Sequence, residues 1–404
     1  MTEQDNLGGQ LAGKALAGIQ SPGGEGKQGE WRSQLVSNGD VVFEQRGSAG
    51  FITLNRPKAL NALTLAMVRD LTTALTAWRS NPTIKLVAIR GSNKAGQPGT
   101  PEALFGGFCA GGDIRFLHQA ALANNPDLDA FFTEEYKLNY LIHAYPKPYI
   151  AFMDGVVMGG GMGISQGAKV RIVTEHTKMA MPETNIGLFP DVGGGYFLSR
   201  CPGSVGEYLA LTGDVIGADH ALAYGLADVL REAKALPVLW QSLGDQSFQD
   251  AAGVDGWLAT YLGAARARKT TDTELIDVHF SLLRVKHIVD SLEKDKASAW
   301  AVKTAATLRK RSPLMLHVTL ELIRKARGVS LADDLRMERD LIANCFHLRP
   351  GVLSETVEGI RALAVDKDYS PKWNPPRIED VKPGMADAYF ASPWAAEAHP
   401  LRDL

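Results

Sequence analysis

"KPYIAFMDGVVMGGGMGISQGAKVRIVTE", Lys147 to Glu175, is the stretch that decides the fold. "KPYIAFMDG" is apolar and reads as a strand. "GGGMGISQGA" reads as a tight turn feeding a helix, and "KVRIVTE" is again strand-like. Strand, helix, strand predicts parallel strands joined by crossovers, and hence an α/β domain. The alternation extends outward. "DVVFEQRGSAGFITLNRP" reads as a hairpin around Gly47–Gly50, ended by Pro57. "LTLAMVRDLTTALTAW" places Met67, Leu71, Leu75 and Trp78 on one helical stripe. "IKLVAIRG" reads as a short buried strand, and "FFTEEYKLNYLIHAY" as a helix. Beyond about residue 232 the strand signals fade. "SLADDLRMERDLIANCFHL", with Ser330 as its N-cap, and "LSETVEGIRALAV" read as amphipathic helices. The proline-rich "SPKWNPPRIEDVKPG" predicts an irregular surface segment. The expected organisation is a flexible tail over 1–37, an α/β core over 38–232 and a helical region over 233–404.

Bulk properties narrow the function. The 404 residues are 45% hydrophobic and 22% charged, with a formal net charge of −2. No global field draws nucleic acid or an anionic membrane. No run of eighteen apolar residues predicts a spanning helix. Cys109, Cys201 and Cys345 are odd in number and far apart, which suits a reducing compartment better than a disulfide framework or a zinc site. The first thirty residues lack both an apolar signal core and an Arg-rich amphipathic pattern, which favours the cytoplasm. The nine histidines form no metal-binding pairing, so no metal is expected, and no G-x-S-x-G marks a serine hydrolase.

Four stretches carry candidate chemistry. "FCAGGDI", Phe108 to Ile114, ends a long loop rich in Gly and Pro, and its backbone N–H groups are suited to a ligand oxygen. The plainer reading is a loop-to-helix turn with Asp113 as N-cap. "GVVMGGGMGIS", Gly155 to Ser165, sets three glycines at a helix start, although tight helix–strand packing explains them equally well. Two such loops converging on one oxygen make an oxyanion hole. "MPETNIGLFPDVGGGYF", Met181 to Phe197, puts Glu183 before an apolar segment, where desolvation would raise its pKa. Asp191, just before Val192 and three glycines, also reads as an N-cap. Glu135 falls on the stripe of Phe131, Leu138 and Ile142, so it is either paired or aimed into a site.

In order and spacing, "LNRPKALNAL", "FCAGGDI", "GVVMGGGMGIS" and "MPETNIGLFPDVGGGYFL" resemble the crotonase (enoyl-CoA hydratase/isomerase) superfamily. Together with the C-terminal "VEGIRALAVDKDYSPKWNPP", the last of these is similar to its 3-hydroxyisobutyryl-CoA hydrolase branch. The resemblance spans about residues 40–385. It implies a spiral of ββα units with a helical C-terminal part, and an acyl-CoA substrate that brings its own coenzyme, so no separate cofactor. It also implies an oxyanion hole at the N–H groups of Ala110 and Gly160, with Gly111, Gly112 and Asp113 beside it. Arg56, Lys58 and Ala59 match a segment that lies along the CoA moiety. Glu135, Gly160, Glu183 and Asp191 match substrate-contacting positions. Homo-oligomers are common in such families. A mitochondrial matrix location is the alternative for a eukaryotic source.

One departure bears on the reaction. Hydratases of this superfamily use two glutamates on one water. The first falls two residues after the glycine triplet, where this chain has Gly163, while the second matches Glu183. Syn hydration needs one group to give a proton while another activates water. Thioester cleavage needs one activated oxygen and an oxyanion hole. The expected reaction is hydrolysis of 3-hydroxyisobutyryl-CoA, as in valine degradation, with 3-hydroxypropionyl-CoA as a second candidate. The rival readings are a hydratase or isomerase, and a non-catalytic acyl-CoA-binding protein.

Overall fold

The computed structural model describes residues 36–93, 105–262 and 272–404. The tail expected over 1–37 and the middle of the glycine-rich loop lie largely outside them. Strand β1 (Val41–Arg46) pairs antiparallel with β2 (Ala49–Leu54). Helix α1 (Leu65–Ser80) then crosses to β3 (Leu86–Gly91). Thr64 caps α1 by accepting the Met67 N–H, and Met67, Leu71, Leu75 and Trp78 are all buried, as the stripe predicts. Helices α2 (Ile114–Leu122) and α3 (Asp127–His143) lead to β4 (Tyr149–Met153) and β5 (Val156–Met158). The glycine triplet opens α4 (Gly160–Gln166), which is followed by β6 (Val170–Val173) and β7 (Lys178–Ala180).

The main sheet has the order β1-β2-β3-β4-β6-β8, where β8 is Val229–Leu230, and every pairing after the first is parallel. A second layer runs alongside. It joins Leu63 to Gly112, Cys109 to Val157, β5 to β7, and Met179 to Ile216. Each turn of chain therefore gives one strand to the large sheet and one extended piece to the small layer. This is the ββα spiral, and the functional loops sit in its second layer.

The parallel strands are buried on both faces, as such sheets require. Alternate residues serve two cores. Val87, Ile89, Ala151 and Met153 join the large core under the helices. Leu86, Ala88, Ile150 and Phe152 face a second one with Trp240 and Trp257. Those tryptophans come from α8 (Leu236–Gly244) and α9 (Ala251–Leu262), after the short α5–α7 (Gly194–Leu198, Val205–Thr212, Ala218–Ala223). The first two helices of the C-terminal region thus cover the back of the sheet. Helices α10–α15 follow (Asp272–Phe280, Val285–Lys294, Ala299–Leu308, Pro313–Ala326, Leu331–His347, Glu355–Ile360). Of these, α14, capped by Ser330 as expected, packs on α3, and α15 packs on the turn that begins at Glu183.

Asn61 fastens the approach to the glycine loop. It is fully buried at φ +56°, a left-handed conformation that Asn tolerates better than most residues. Its Oδ1 accepts the Arg56 N–H at 2.8 Å, and its Nδ2 donates to the carbonyls of Gly107 at 2.7 Å and Ser92 at 2.9 Å. Asn61→Ala strands buried partners and is expected to lower stability by at least about 2 kcal/mol. Urea denaturation checks this: an unchanged midpoint would show that the amide does not hold the loop.

Candidate active site

The two glycine loops meet at one cavity of about 220 Å³. Gly111 and Gly159 both have positive φ, +105° and +49°, which turns the chain sharply before Gly112 and Gly160. A Cβ added to Gly160 would lie 3.5 Å from the Gly112 nitrogen, so the two amides border the same space. Neither amide finds an acceptor among the described residues.

The Ala110 amide behaves differently. It lines the cavity, but its N–H donates to the Leu60 carbonyl at 3.0 Å. Next to it, Cys109 is laced to Val156 and Met158. This corrects the expected oxyanion pair. The second-layer ladder occupies the Ala110 donor, and the Gly111 turn leaves Gly112 as the open one beside Gly160. Asp113 caps α2 by accepting the Phe116 N–H, and it pairs with Arg56 at 2.9 Å. Arg56, Lys58 and Ala59 do not line this cavity. Of the three, Arg56 reaches the loop, through its pair with Asp113.

Three carboxyl groups share the cavity. Glu183 follows Pro182 and opens a 3-10 turn, Glu183–Ile186, closed by Gly187 at φ +65°. Its Oε1 lies 2.9 Å from where a Cβ on Gly159 would stand, and Glu135 Oε1 lies 2.5 Å from where one on Gly160 would stand. Even alanine at Gly160 would collide with Glu135, so the triplet makes room for the acids as well as for donors. Glu183 Oε2 and Glu135 Oε1 are buried without hydrogen-bond partners among the described residues. Asp191 Oδ2 accepts from the Tyr136 hydroxyl at 2.9 Å.

Burial and crowding set the charge states. Burial pushes the Glu183 carboxyl well above the usual range, and Asp191 and Glu135 push it further. Glu135 rises for the same first reason, then through Asp191. Burial lifts Asp191 to about 7, against the pull of its Tyr136 hydrogen bond. Three interacting acids titrate as a set. By contrast Glu134, Glu135's neighbour, points outward to a bidentate pair with Arg69.

Asp191 is not a helix cap. Helix α5 is entered through Gly193 without a side-chain cap. The amides of Gly193, Gly195 and Tyr196 go instead to Glu338 and Asp334 on α14. Tyr136, Asp334 and Glu338 are the residues that the sequence reading missed, and Gly112, expected beside the oxyanion hole, is the open donor itself. The three missed residues are brought in by helices distant in sequence.

Spiral, paired glycine amides and buried acids define a crotonase-type fold with an acyl-sized cavity. Comparison with known proteins agrees. The profile of the enoyl-CoA hydratase/isomerase family matches residues 49–390. A Danio rerio protein named 3-hydroxyisobutyryl-CoA hydrolase, mitochondrial, is 40% identical over 87% of this chain and 90% of its own. The Arabidopsis thaliana 3-hydroxyisobutyryl-CoA hydrolase 1 is 36% identical, covering 88% and 93%. A crystal structure titled carnitinyl-CoA dehydratase, from Mycobacterium thermoresistibile, superposes with a TM-score of 0.76 at 36% identity, covering 87% and 96%. One titled enoyl-CoA hydratase, from Rhodobacter sphaeroides, gives 0.77 at 34%, covering 88% and 98%. The chain belongs to the enoyl-CoA hydratase/isomerase family.

Asp191 makes stability depend on pH. Its folded pKa lies above the ordinary value near 4, so the native state holds its proton more tightly than the unfolded chain. That contribution is full below about 4 and is lost as pH rises through about 7. Asp191→Asn should therefore be less destabilised than wild type between pH 5 and pH 8 in denaturant titrations. Equal losses in both proteins would show that Asp191 ionises freely.

Proposed function

We propose that this chain hydrolyses the thioester of 3-hydroxyisobutyryl-CoA to the hydroxy acid and CoA, with 3-hydroxypropionyl-CoA as a second substrate. The observation that carries the reading is Glu183: a buried carboxyl oxygen without a partner among the described residues, in one cavity with two amides that lack acceptors among them. The substrate comes from the names borne by the relatives from Danio rerio and Arabidopsis thaliana.

With the thioester oxygen between the Gly112 and Gly160 amides, its carbon lies open to Glu183. Either the carboxylate adds to that carbon, or it takes a proton from a water that does. In both routes the carbonyl electrons move onto oxygen, where two N–H donors stabilise them. Collapse of this intermediate breaks the C–S bond. A carboxyl still protonated near neutrality is a proton source for the departing sulfur. The nucleophilic route leaves a mixed anhydride on Glu183 that water opens, and the general-base route leaves none. Rapid-quench mass spectrometry separates them.

Hydration is the second reading, and the titles of the superposed crystal structures suggest it. Gly163 opposes it. A Cβ there would stand 2.7 Å from Val192 Cβ and 2.9 Å from Asn139 Nδ2. The place of the missing glutamate is filled, so a second acid has no seat at that position.

Two measurements test the proposal. Thiol release from 3-hydroxyisobutyryl-CoA should be rapid for wild type and fall at least about a hundredfold in Glu183→Ala. No release by wild type, with absorbance loss on crotonyl-CoA, would establish the hydratase reading. We assign the substrate hydroxyl to Asp191. Asp191→Asn should then lose most of the preference for 3-hydroxyacyl over plain acyl thioesters, about tenfold or more. An unchanged preference removes Asp191 from that role.

A further inference from the structure

Two acids outside the cavity have no part in the chemistry above. Glu338 and Asp334, one turn apart on α14, are both completely buried. Neither lines the acyl cavity. Neither forms an ion pair among the described residues, and buried carboxyl groups without one are poor choices for a core position, since hydrophobic residues would pack there more cheaply. Their partners explain them. Glu338 Oε2 accepts the Gly193 N–H at 2.7 Å, and its Oε1 accepts that of Gly195 at 3.0 Å. Asp334 Oδ2 accepts the Tyr196 N–H at 2.7 Å. The fit leaves no slack: a Cβ on Gly195 would stand 2.4 Å from Asp334 Oδ1.

The segment held this way includes the residues that form the cavity floor. Asp191 accepts the Gly194 N–H on its carbonyl, which closes a turn whose middle residues are Val192 and Gly193. Both have positive φ, +56° and +85°. A β-branched residue resists that conformation and keeps it only where the surroundings impose it. The bond from Glu338 to Gly193 falls at the end of the strained pair. The same helix also grips α3: Arg339 reaches Asp129 at 2.6 Å and Thr133 at 3.0 Å. Helix α3 carries Glu135 and Tyr136. One helix therefore fixes both sides of the Tyr136–Asp191 hydrogen bond.

We infer that Glu338, assisted by Asp334, is a positioning residue: it holds the Asp191–Val192 turn in its left-handed shape and so sets the Asp191 carboxyl against Tyr136 and the acyl group. This rests on the proposed hydrolysis only for its kinetic consequence. Glutamine at 338 keeps the size but loses one acceptor and turns an NH2 toward an amide N–H. Asp191 should then shift, and a displacement near 1 Å costs about a hundredfold in turnover.

The test is Glu338→Gln, read in two ways. In the crystal structure of the folded variant, Tyr136 Oη and Asp191 Oδ2 should no longer lie within hydrogen-bonding distance. In kinetics with 3-hydroxyisobutyryl-CoA, kcat should fall between about tenfold and about a hundredfold, with KM changed less than about threefold. The preference over the plain acyl thioester should fall as well. An unmoved turn overturns the inference whatever the chain hydrolyses. So does a displaced turn with kcat unchanged, or a loss matched by the unfolded fraction. Absence of turnover in wild type bears on the hydrolase reading alone and leaves the structural comparison to decide. If Glu338→Gln does not fold, Asp334→Asn frees only the Tyr196 amide, and the same readings apply.

Discussion

Three carboxyl groups are buried around one cavity, and their crowding raises the cost of ionising them together. Glu135, Glu183 and Asp191 stand around a space scarcely larger than a short acyl group, and among the described residues only the Tyr136 hydroxyl donates to any of them from another side chain. Much of the surrounding architecture follows from that arrangement. Gly159 and Gly160 lack side chains where Glu183 and Glu135 press against them, and Gly161 lacks one where the Cys109 carbonyl lies. The second layer of the spiral must be closely laced because the amides facing the acids sit on its ends. A group that is hard to ionise in the resting state is strongly basic once ionised, which suits attack on a thioester.

The site draws its parts from both regions of the chain. The spiral supplies donors and Glu183, and α3 supplies Glu135 and Tyr136. Helix α14, about 150 residues further along, ties α3 to the Asp191 turn. The C-terminal region is therefore structural for the active site and not an appendage. Its first two helices serve a different purpose, since Trp240 and Trp257 complete the core behind the sheet.

The sequence showed those features that local chemistry determines. Alternation of strand and helix marked the α/β core, and the stripe through Met67 and Trp78 marked the face of α1. Pro182-Glu183 before an apolar run marked the desolvated acid. Long-range bonds were not visible. Nothing near Ala110 reveals that Leu60 takes its N–H, so the open donor was placed two residues early. Asp191 before a glycine run looks like a helix cap, and only the fold shows that α14 does the capping. "SLADDLRMERDLIANCFHL" reads only as an amphipathic helix, because spacing alone does not distinguish a charge that meets water from one that meets backbone amides.

All three thiols of the chain are buried. Burial pushes Cys109 and Cys201 up to about 12, and Cys345 rises for the same reason. Exchange with a disulfide requires an accessible thiolate. In the proposed reaction every turnover liberates a thiol, and oxidised coenzyme A would be the disulfide accumulating nearby. A protein built in this way presents no sulfur for it to capture, and so escapes mixed-disulfide inactivation by the spent form of its own product.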